Sequence, residues 1–533
     1  MGIRKLSVLL AVVLAVVVSS TALGAAQVGQ VTVEARVKPI LTVGGLRFRD
    51  LNANGKLDVY EDWRRSVDDR ITDLLSQMTI EEKVGLLFHV NTGGGFTPEY
   101  PYTEKTLESS RHFIHEMHIN HILDNNNGTP DYLANFHNVL QEIAEETRLG
   151  IPITFSSDRA SNAWGGMIDL PHAAFGTAND PVLAAKLFDA YSKEMAAVGY
   201  HLTLHPSGVE LFRTAWGEDA DRVAAITREY VTAYTANNVQ TCLKHFPTNE
   251  YGSRRSPAEL KSFDISWRAG IQAGAGWVML TNRQGVSYAT VQAHYDKETL
   301  AYLREKLGFD GVVLTDWFPV GFSRMPSTGV TADGVDVASL SLEERYKFML
   351  DIGVDQFGGE TAVSGIDKKP SDSAIPTNYP DVVVDLVKTG KVTEARIDES
   401  ARRILRTKFE LGLFDDPYVD PEAALAIAAS PKYIAQRWAI TDNATLDAAR
   451  NPRTLALDHA LQAAATVLLL NDGTLPLKDG VSVYVLAPSE ETVTRAAAAL
   501  SKYATVVNDI SKADVAIARV SAGTSRDSAL GAL

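Results

Sequence analysis

The sequence predicts an α/β protein, a closed (β/α)8, TIM-like barrel followed by an incomplete α/β sandwich domain. Between residues 66 and 415 short apolar runs alternate with helical stretches, the periodicity of repeated βα units. Eight runs fit buried parallel strands: VGLLFHV (84–90), INHILD (119–124), IPITFSSD (151–158), YHLTLHP (200–206), VQTCLKHF (239–246), WVMLTN (277–282), GVVLTDW (311–317) and GVDQFGG (353–359). Most end on a polar residue, namely Asp124, Asp158, His205, His245, Asn282, Asp316 or Gln356. A barrel predicts that asymmetry, because its strand interiors are packed and its C-terminal mouth is the working face. An open doubly wound sheet would alternate in the same way, but eight units without a Gly-rich phosphate loop after any strand favour closure.

In chain order, Arg4-Lys5, the apolar run Leu6 to Val18 and small residues through Ala26 form the pattern of a cleaved signal peptide over 1–26. The run is shorter than the ~20 residues of a spanning helix, so export to the periplasm or medium is expected, without a membrane anchor. Residues 27–65 form an N-terminal segment, and 66–415 the barrel. Its helices are plainest at Pro181 to Val198 and Asp219 to Asn238, whose acidic starts suit the helix dipole. The stretch 416–451, with DDPYVDPEAA, reads as a linker. From 452 a helix, the apolar strand VSVYVLAP, a helix from Glu490 to Tyr503 and VAIARV begin a second α/β sheet. Three or four strands fit before Leu533, fewer than a six-stranded sheet needs.

At 533 residues and 45% hydrophobic content the chain can bury large cores in at least two domains. A net charge of −15 and pI near 5.3 argue against nucleic acid or an anionic membrane as partner, since a polyanion would be repelled. A neutral substrate is more natural. The single cysteine, Cys242, cannot form an internal disulfide and reads as a small buried hydrophobe in an apolar strand.

Two patterns carry chemistry. Leu303 to Trp317, LREKLGFDGVVLTDW, leads a helix through a Gly-Phe-Asp-Gly turn into a strand ending on Asp316, where barrel enzymes place catalytic groups. Trp317 offers a flat face for a sugar ring. An Asp in that place is also a favoured helix N-cap, so both readings stand. Lys244 and His245 end the fifth strand, so both can reach the same mouth as charged donors to hydroxyls. Asp158, after the third strand, can accept two hydroxyl hydrogens. His205, Arg213 and Glu218 come after the fourth.

The second pattern is Asp50-Leu-Asn52-Ala-Asn54-Gly55-Lys56-Leu-Asp58-Val-Tyr-Glu61, which satisfies the calcium-loop spacing D-x-[DN]-x-[DN]-G-x5-E. Side-chain oxygens of Asp50, Asn52, Asn54, Asp58 and Glu61, with the carbonyl of Lys56, would give seven-coordinate Ca²⁺. An Asx-rich turn without a metal fits the same spacing. An ion there would be structural, far in sequence from the barrel mouth.

Several segments together resemble glycoside hydrolase family 3, of the β-glucosidase type: RITDLLSQMTIEEKVGLL (70–87), ETRLGIPITFSSD (146–158), WGED (216–219), LKHFP (243–247), LREKLGFDGVVLTDW, GVDQFGGE (353–360), RIDESARRIL (396–405), KFELGLFDDPYVDP (408–421) and AAATVLLLNDGTLPL. The resemblance spans nearly everything after the leader and implies a barrel followed by an α/β sandwich, with the active site between them. It implies Asp316 as catalytic nucleophile and Trp317 as its sugar-stacking neighbour. Lys244 and His245 become binders of ring hydroxyls, and Asp158 the carboxylate that holds a terminal nonreducing sugar. The implied activity is that of a retaining exo-β-glycosidase releasing terminal β-D-glucosyl residues, without a catalytic cofactor.

This chain departs from the family pattern in three places. GVELFRTAWGED replaces the usual Pro-Arg-Trp-x-Arg segment, leaving Arg213 as stand-in for the substrate-binding arginine. TNEYGSRR after LKHFP lacks the Gly-His-Gly of the β-N-acetylglucosaminidase branch, which disfavours that activity. The acid/base glutamate of the β-glucosidase branch would fall beyond Leu533, so either Glu250 substitutes or the acid is missing. Loss of the acid would leave a catalytically impaired sugar-binding barrel.

Overall fold

A computed structural model of the chain describes residues 29–91, 107, 110–124, 128–158, 172–207, 216–217, 219–247, 257–283, 291–320, 329–359, 379–436, 447–466, 475–487 and 489–518. The chain divides into two compact units, residues 1–465 and 466–533.

The first unit opens with an antiparallel hairpin, β1 (Ile40–Val43) and β2 (Leu46–Arg49). Eight parallel strands then close into a barrel in sequence order. They are β3 (Phe88–Asn91), β4 (His121–Leu123), β5 (Thr154–Ser157), β6 (Leu202–Thr203), β7 (Gln240–Phe246), β8 (Trp277–Leu280), β9 (Val312–Trp317) and β10 (Gln356–Gly358), with β10 pairing to β3. Each apolar run of the sequence supplies one strand.

The run at 84–90 differs in that its first residues are helical. Val84 to Leu86 end the helix Ile80–Leu86, and the strand begins at Phe88. The cause is the capping box at Thr79-Ile-Glu-Glu82, in which the Thr79 hydroxyl accepts from the Glu82 N–H at 3.3 Å and the Glu82 carboxylate from the Thr79 N–H at 2.9 Å. Two otherwise orphaned donors are satisfied, so the apolar run begins inside a helix. The helices read from acidic starts form at Pro181–Ala197 and Ala220–Ala236, capped by Asp180 and Asp219.

The stretch 416–451 carries short helices, Pro421–Ala428 and Pro431–Gln436. It is tied to the barrel helix Pro130–Glu146 through Asn138, which bonds both backbone groups of Val419 at 2.7 and 3.0 Å. Helix Pro452–Ala464 is held in the first unit by the buried Arg450–Asp458 pair at 2.5 Å and by the Asp458 bond to Tyr191. The second unit has a parallel sheet of β11 (Ser482–Leu486), β12 (Thr505–Val507) and β13 (Val515–Ala518) in the order β12-β11-β13, with helix Glu490–Leu500 between β11 and β12. Among the described residues no helix is long and apolar enough to cross a membrane.

The barrel bore is not purely apolar. His89 bonds Gln356 at 3.2 Å and Ser156 at 2.6 Å. Lys408, from helix Glu394–Glu410, bonds Asn120 O, Pro152 O and Thr154 Oγ1, each at 2.9 Å. Burial pushes this amine well below its ordinary value. All three neighbours accept an N–H bond from the amine, and these bonds oppose the effect of burial. Burial also acts on four histidines: it lowers His89, His201 and His294 to about 3, and His121 well below its ordinary value.

In the unfolded chain each imidazole protonates near pH 6.5, so below that pH the unfolded state binds protons that the folded state refuses. Each group then removes about 1.4 kcal/mol of stability per pH unit as pH falls below 6.5, for His89, His201 and His294 down to about 3. Calorimetric melting across pH 7.5 to 5 should show the barrel's Tm falling steeply below pH 6.5. A flat profile would mean that these rings accept protons in the folded state.

Candidate active site

β9 is buried from Val312 to Thr315 and emerges at Asp316 and Trp317, which are half-buried. The Asp316 Oδ1 accepts the Trp317 N–H at 2.7 Å, while Oδ2 has no hydrogen-bond partner among the described residues. One oxygen therefore fixes the carboxylate plane and the other remains available. Neighbouring strands pin the backbone on the far side of Asp316: Asn282, at the end of β8, donates to Trp317 O at 3.0 Å, and Phe318 N–H donates to Gly358 O at 2.9 Å. Phe318 is held at φ +63, a left-handed conformation that costs a bulky residue energy and persists only where its surroundings fix it. His89 meets Trp317 edge-on, ring centroids 5.4 Å apart.

A second group stands at the ends of β5, β6 and β7. Lys244 is buried and bonds the carboxylate of Asp158, whose own side chain stays 47% exposed. The His205 ring bonds the Asp158 carbonyl at 2.9 Å. Burial would raise the Asp158 pKa, but Lys244, then His205 and His245, outweigh it and hold the carboxyl below its usual range. Burial would likewise discharge Lys244. Asp158 foremost, with a smaller contribution from Asp316, reverses this and raises its pKa. Asp158, Lys244 and Asp316 stand at the C-terminal ends of β5, β7 and β9 in one closed parallel barrel, and so share its mouth. Cys242, two residues back, is fully buried and its thiol is pushed up by desolvation, which removes it from nucleophilic chemistry.

Arg213 and Glu250 lie outside the described residues, as does Glu218. The sequence alone does not mark Asn282, His89 or Gly358 as site residues. Asn282 carries one usable signal, a polar residue ending a strand, whereas the contacts of His89 and Gly358 with Trp317 come from strands far away in the chain.

The loop of Asp50, Asn52, Asn54, Lys56, Asp58 and Glu61 closes on itself. Asp50 accepts the N–H groups of Asn54 and Gly55 at 3.0 Å, Glu61 those of Leu51 at 2.7 Å and Asp58 at 3.0 Å, and Asp58 Oδ2 the amide groups of Asn52 and Asn54 at 2.5 and 2.7 Å. In this arrangement both Asn side chains turn nitrogen, not oxygen, toward Asp58. Among the described residues no three His, Cys, Asp or Glu side chains gather as a metal-binding group. The loop's oxygens are the hard donors that Ca²⁺ takes, but as placed they do not form its coordination set.

Residues 79–407 match the family described as glycosyl hydrolase family 3 N terminal domain. A periplasmic β-glucosidase/β-xylosidase of Dickeya chrysanthemi is 30% identical over 93% of this chain and 77% of its own length. A probable β-glucosidase C of Aspergillus flavus is 32% identical over 70% of this chain and 63% of its own length. Among solved structures, a β-glucosidase from Erythrobacter marinus superposes with a TM-score of 0.62 at 22% identity, covering 81% of this chain and 54% of that one. A β-glucosidase from Listeria innocua in complex with glucose gives 0.60 at 20% identity, covering 85% and 61%. At those identities the structures establish the likeness of fold.

The self-closed loop predicts that EDTA leaves the Tm unchanged. A fall of several degrees in EDTA, restored by Ca²⁺ and not by Mg²⁺, would show that the two Asn amides turn over to bind the ion.

Proposed function

The chain belongs to glycoside hydrolase family 3, and on that premise we propose that it is an exported, retaining exo-β-glycosidase that releases terminal nonreducing β-D-glucosyl residues from β-glucosides or oligosaccharides. The observation that carries this reading is Asp316, a half-buried carboxylate at the C-terminal end of a barrel strand with one oxygen fixed and the other without a hydrogen-bond partner among the described residues. Export is supported by the leader pattern at 1–26, which lies outside the described residues, and by the periplasmic name of the Dickeya relative.

In the proposed reaction the free oxygen of Asp316 attacks the anomeric carbon as the glycosidic bond breaks, giving a glycosyl ester that water then hydrolyses. An acid must protonate the departing oxygen and later take the proton from water, and in retaining enzymes it stands ~5 to 5.5 Å from the nucleophile. Glu250 is the candidate within this sequence.

Asp158 and Lys244 divide the sugar's hydroxyls between them. The exposed part of the carboxylate accepts hydroxyl hydrogens, and the buried ammonium, already paired, donates to hydroxyl oxygens without a further desolvation penalty. His245 and Arg213 are proposed as additional donors, and Trp317 as the surface against which the ring lies.

The test is hydrolysis of 2,4-dinitrophenyl β-glucoside, whose leaving group needs no acid, followed by NMR for the anomer first released. Turnover should give the β-anomer, and Asp316→Asn should lower kcat on the order of 10⁴-fold. Wild-type rates in that variant would remove Asp316 from the role.

Lys244→Met should weaken sugar binding at least about tenfold, since it removes a donor to the sugar and leaves the half-exposed Asp158 carboxylate without the ammonium that pairs with it. It should also move the acid limb of kcat/KM to higher pH, because without the ammonium burial raises the Asp158 pKa. An unchanged acid limb would show that Asp158 ionisation does not govern substrate binding.

A further inference from the structure

The indole of Trp317 rests on glycine backbone. Gly358, the last residue of β10, is in register with Trp317 across the β9–β10 pair. A Cβ built on Gly358 would penetrate Trp317 Cε3, stand 2.5 Å from Cζ3 and meet Thr315 O at 2.9 Å. A Cβ on Gly359 would stand 3.1 Å from both Cδ1 and Cγ of the same indole. The benzo ring thus lies over Gly358 and the pyrrole ring over Gly359. Gly359 also has φ +74, where an L side chain is strained.

This bed is itself fixed. Gly358 N–H donates to Thr315 Oγ1 at 2.9 Å, Gly358 O accepts Phe318 N–H at 2.9 Å, and Gly359 N–H donates to His89 O at 2.8 Å. Both glycines are buried, whereas Trp317 is half-buried. The accessible part of the indole therefore lies away from β10.

We propose that Gly358 is a positioning residue that sets specificity: the absence of a side chain there seats the Trp317 indole deep enough for a pyranose ring to lie flat between it and the Asp316 carboxylate. This rests on the reading of Trp317 as a sugar platform. A methyl at 358 has no free space, since Thr315 O and the indole already occupy it, and the indole is the element with a rotatable bond. It would swing outward into the volume the sugar needs. The ligand class favoured is an all-equatorial pyranose such as β-glucosyl, whose flat face complements an indole.

The experiment uses the full chain and its Gly358→Ala, Trp317→Ala and doubly substituted forms. It reads Tm, glucose affinity by calorimetry, and turnover of the activated glucoside. Gly358→Ala should lower the Tm and weaken glucose binding by about tenfold. In the Trp317→Ala background the same change should leave glucose affinity unaffected, because the clash with the indole has been removed, and should lower the Tm only by what the remaining contact with Thr315 O costs. A Gly358→Ala protein with wild-type glucose affinity, or losses that simply add in the double variant, would overturn the proposal, as would a wild-type chain that binds no glucose. Glucose binding weakened by Gly358→Ala in a chain that hydrolyses no glycoside would sink the glycosidase reading and leave the platform standing. Hydrolysis by the wild type with affinity indifferent to Gly358→Ala would do the reverse.

Discussion

The barrel depends on one buried carboxylate, Asp355. It lies just before β10 and is fully inaccessible, yet both oxygens are engaged: Oδ2 accepts Arg304 at 2.6 Å and the Val313 N–H at 3.0 Å, and Oδ1 accepts Ser400 at 2.8 Å and Arg403 at 3.2 Å. Arg304 belongs to the segment before β9, Val313 to β9 itself, and Ser400 and Arg403 to the helix Glu394–Glu410. One charge therefore ties the penultimate strand, the last strand and the closing helix. Removing any cation would leave Asp355 short of compensation in a low-dielectric interior, a class of defect that costs about 3–5 kcal/mol. The register it imposes between β9 and β10 carries Asp316 and Trp317 to the level of Gly358 at the mouth.

The two ends of the bore use polar groups in opposite ways. Within it, His89, Gln356, Ser156, Lys408 and Thr154 bond one another or backbone carbonyls, so polarity is consumed internally. At the mouth, Lys244 remains an ammonium because Asp158 and Asp316 face it. Asp158 remains a carboxylate with half its side chain exposed. Charge survives where a counter-charge and solvent access coincide, and there a polar ligand can exchange protein–water hydrogen bonds for its own.

Much of this is legible in the chain. The apolar runs mark every barrel strand because a parallel strand buried on both faces has little room for polar residues. The strand-end carboxylates Asp158 and Asp316 stand out because a packed barrel exposes side chains at its mouth. Other features are hidden for physical reasons. The start of β3 cannot be read from the apolar run because the same residues serve both the helix capped by Thr79 and the strand after it. The calcium spacing at Asp50 to Glu61 describes which oxygens are present, but not whether amide hydrogens reach them first, as the backbone and the two Asn side chains do here.

The order and type of the elements and the residue types at their ends follow from local sequence, because periodicity, capping and burial act over a few neighbouring residues. Tertiary structure alone decided which of those residues meet. Asp158 and Lys244 are 86 residues apart, His89 and Trp317 join across strands from opposite ends of the barrel sequence, and Gly358 matters only because barrel closure lays it against an indole. Such contacts depend on the register and curvature of a closed sheet, a global condition that no local window of sequence contains.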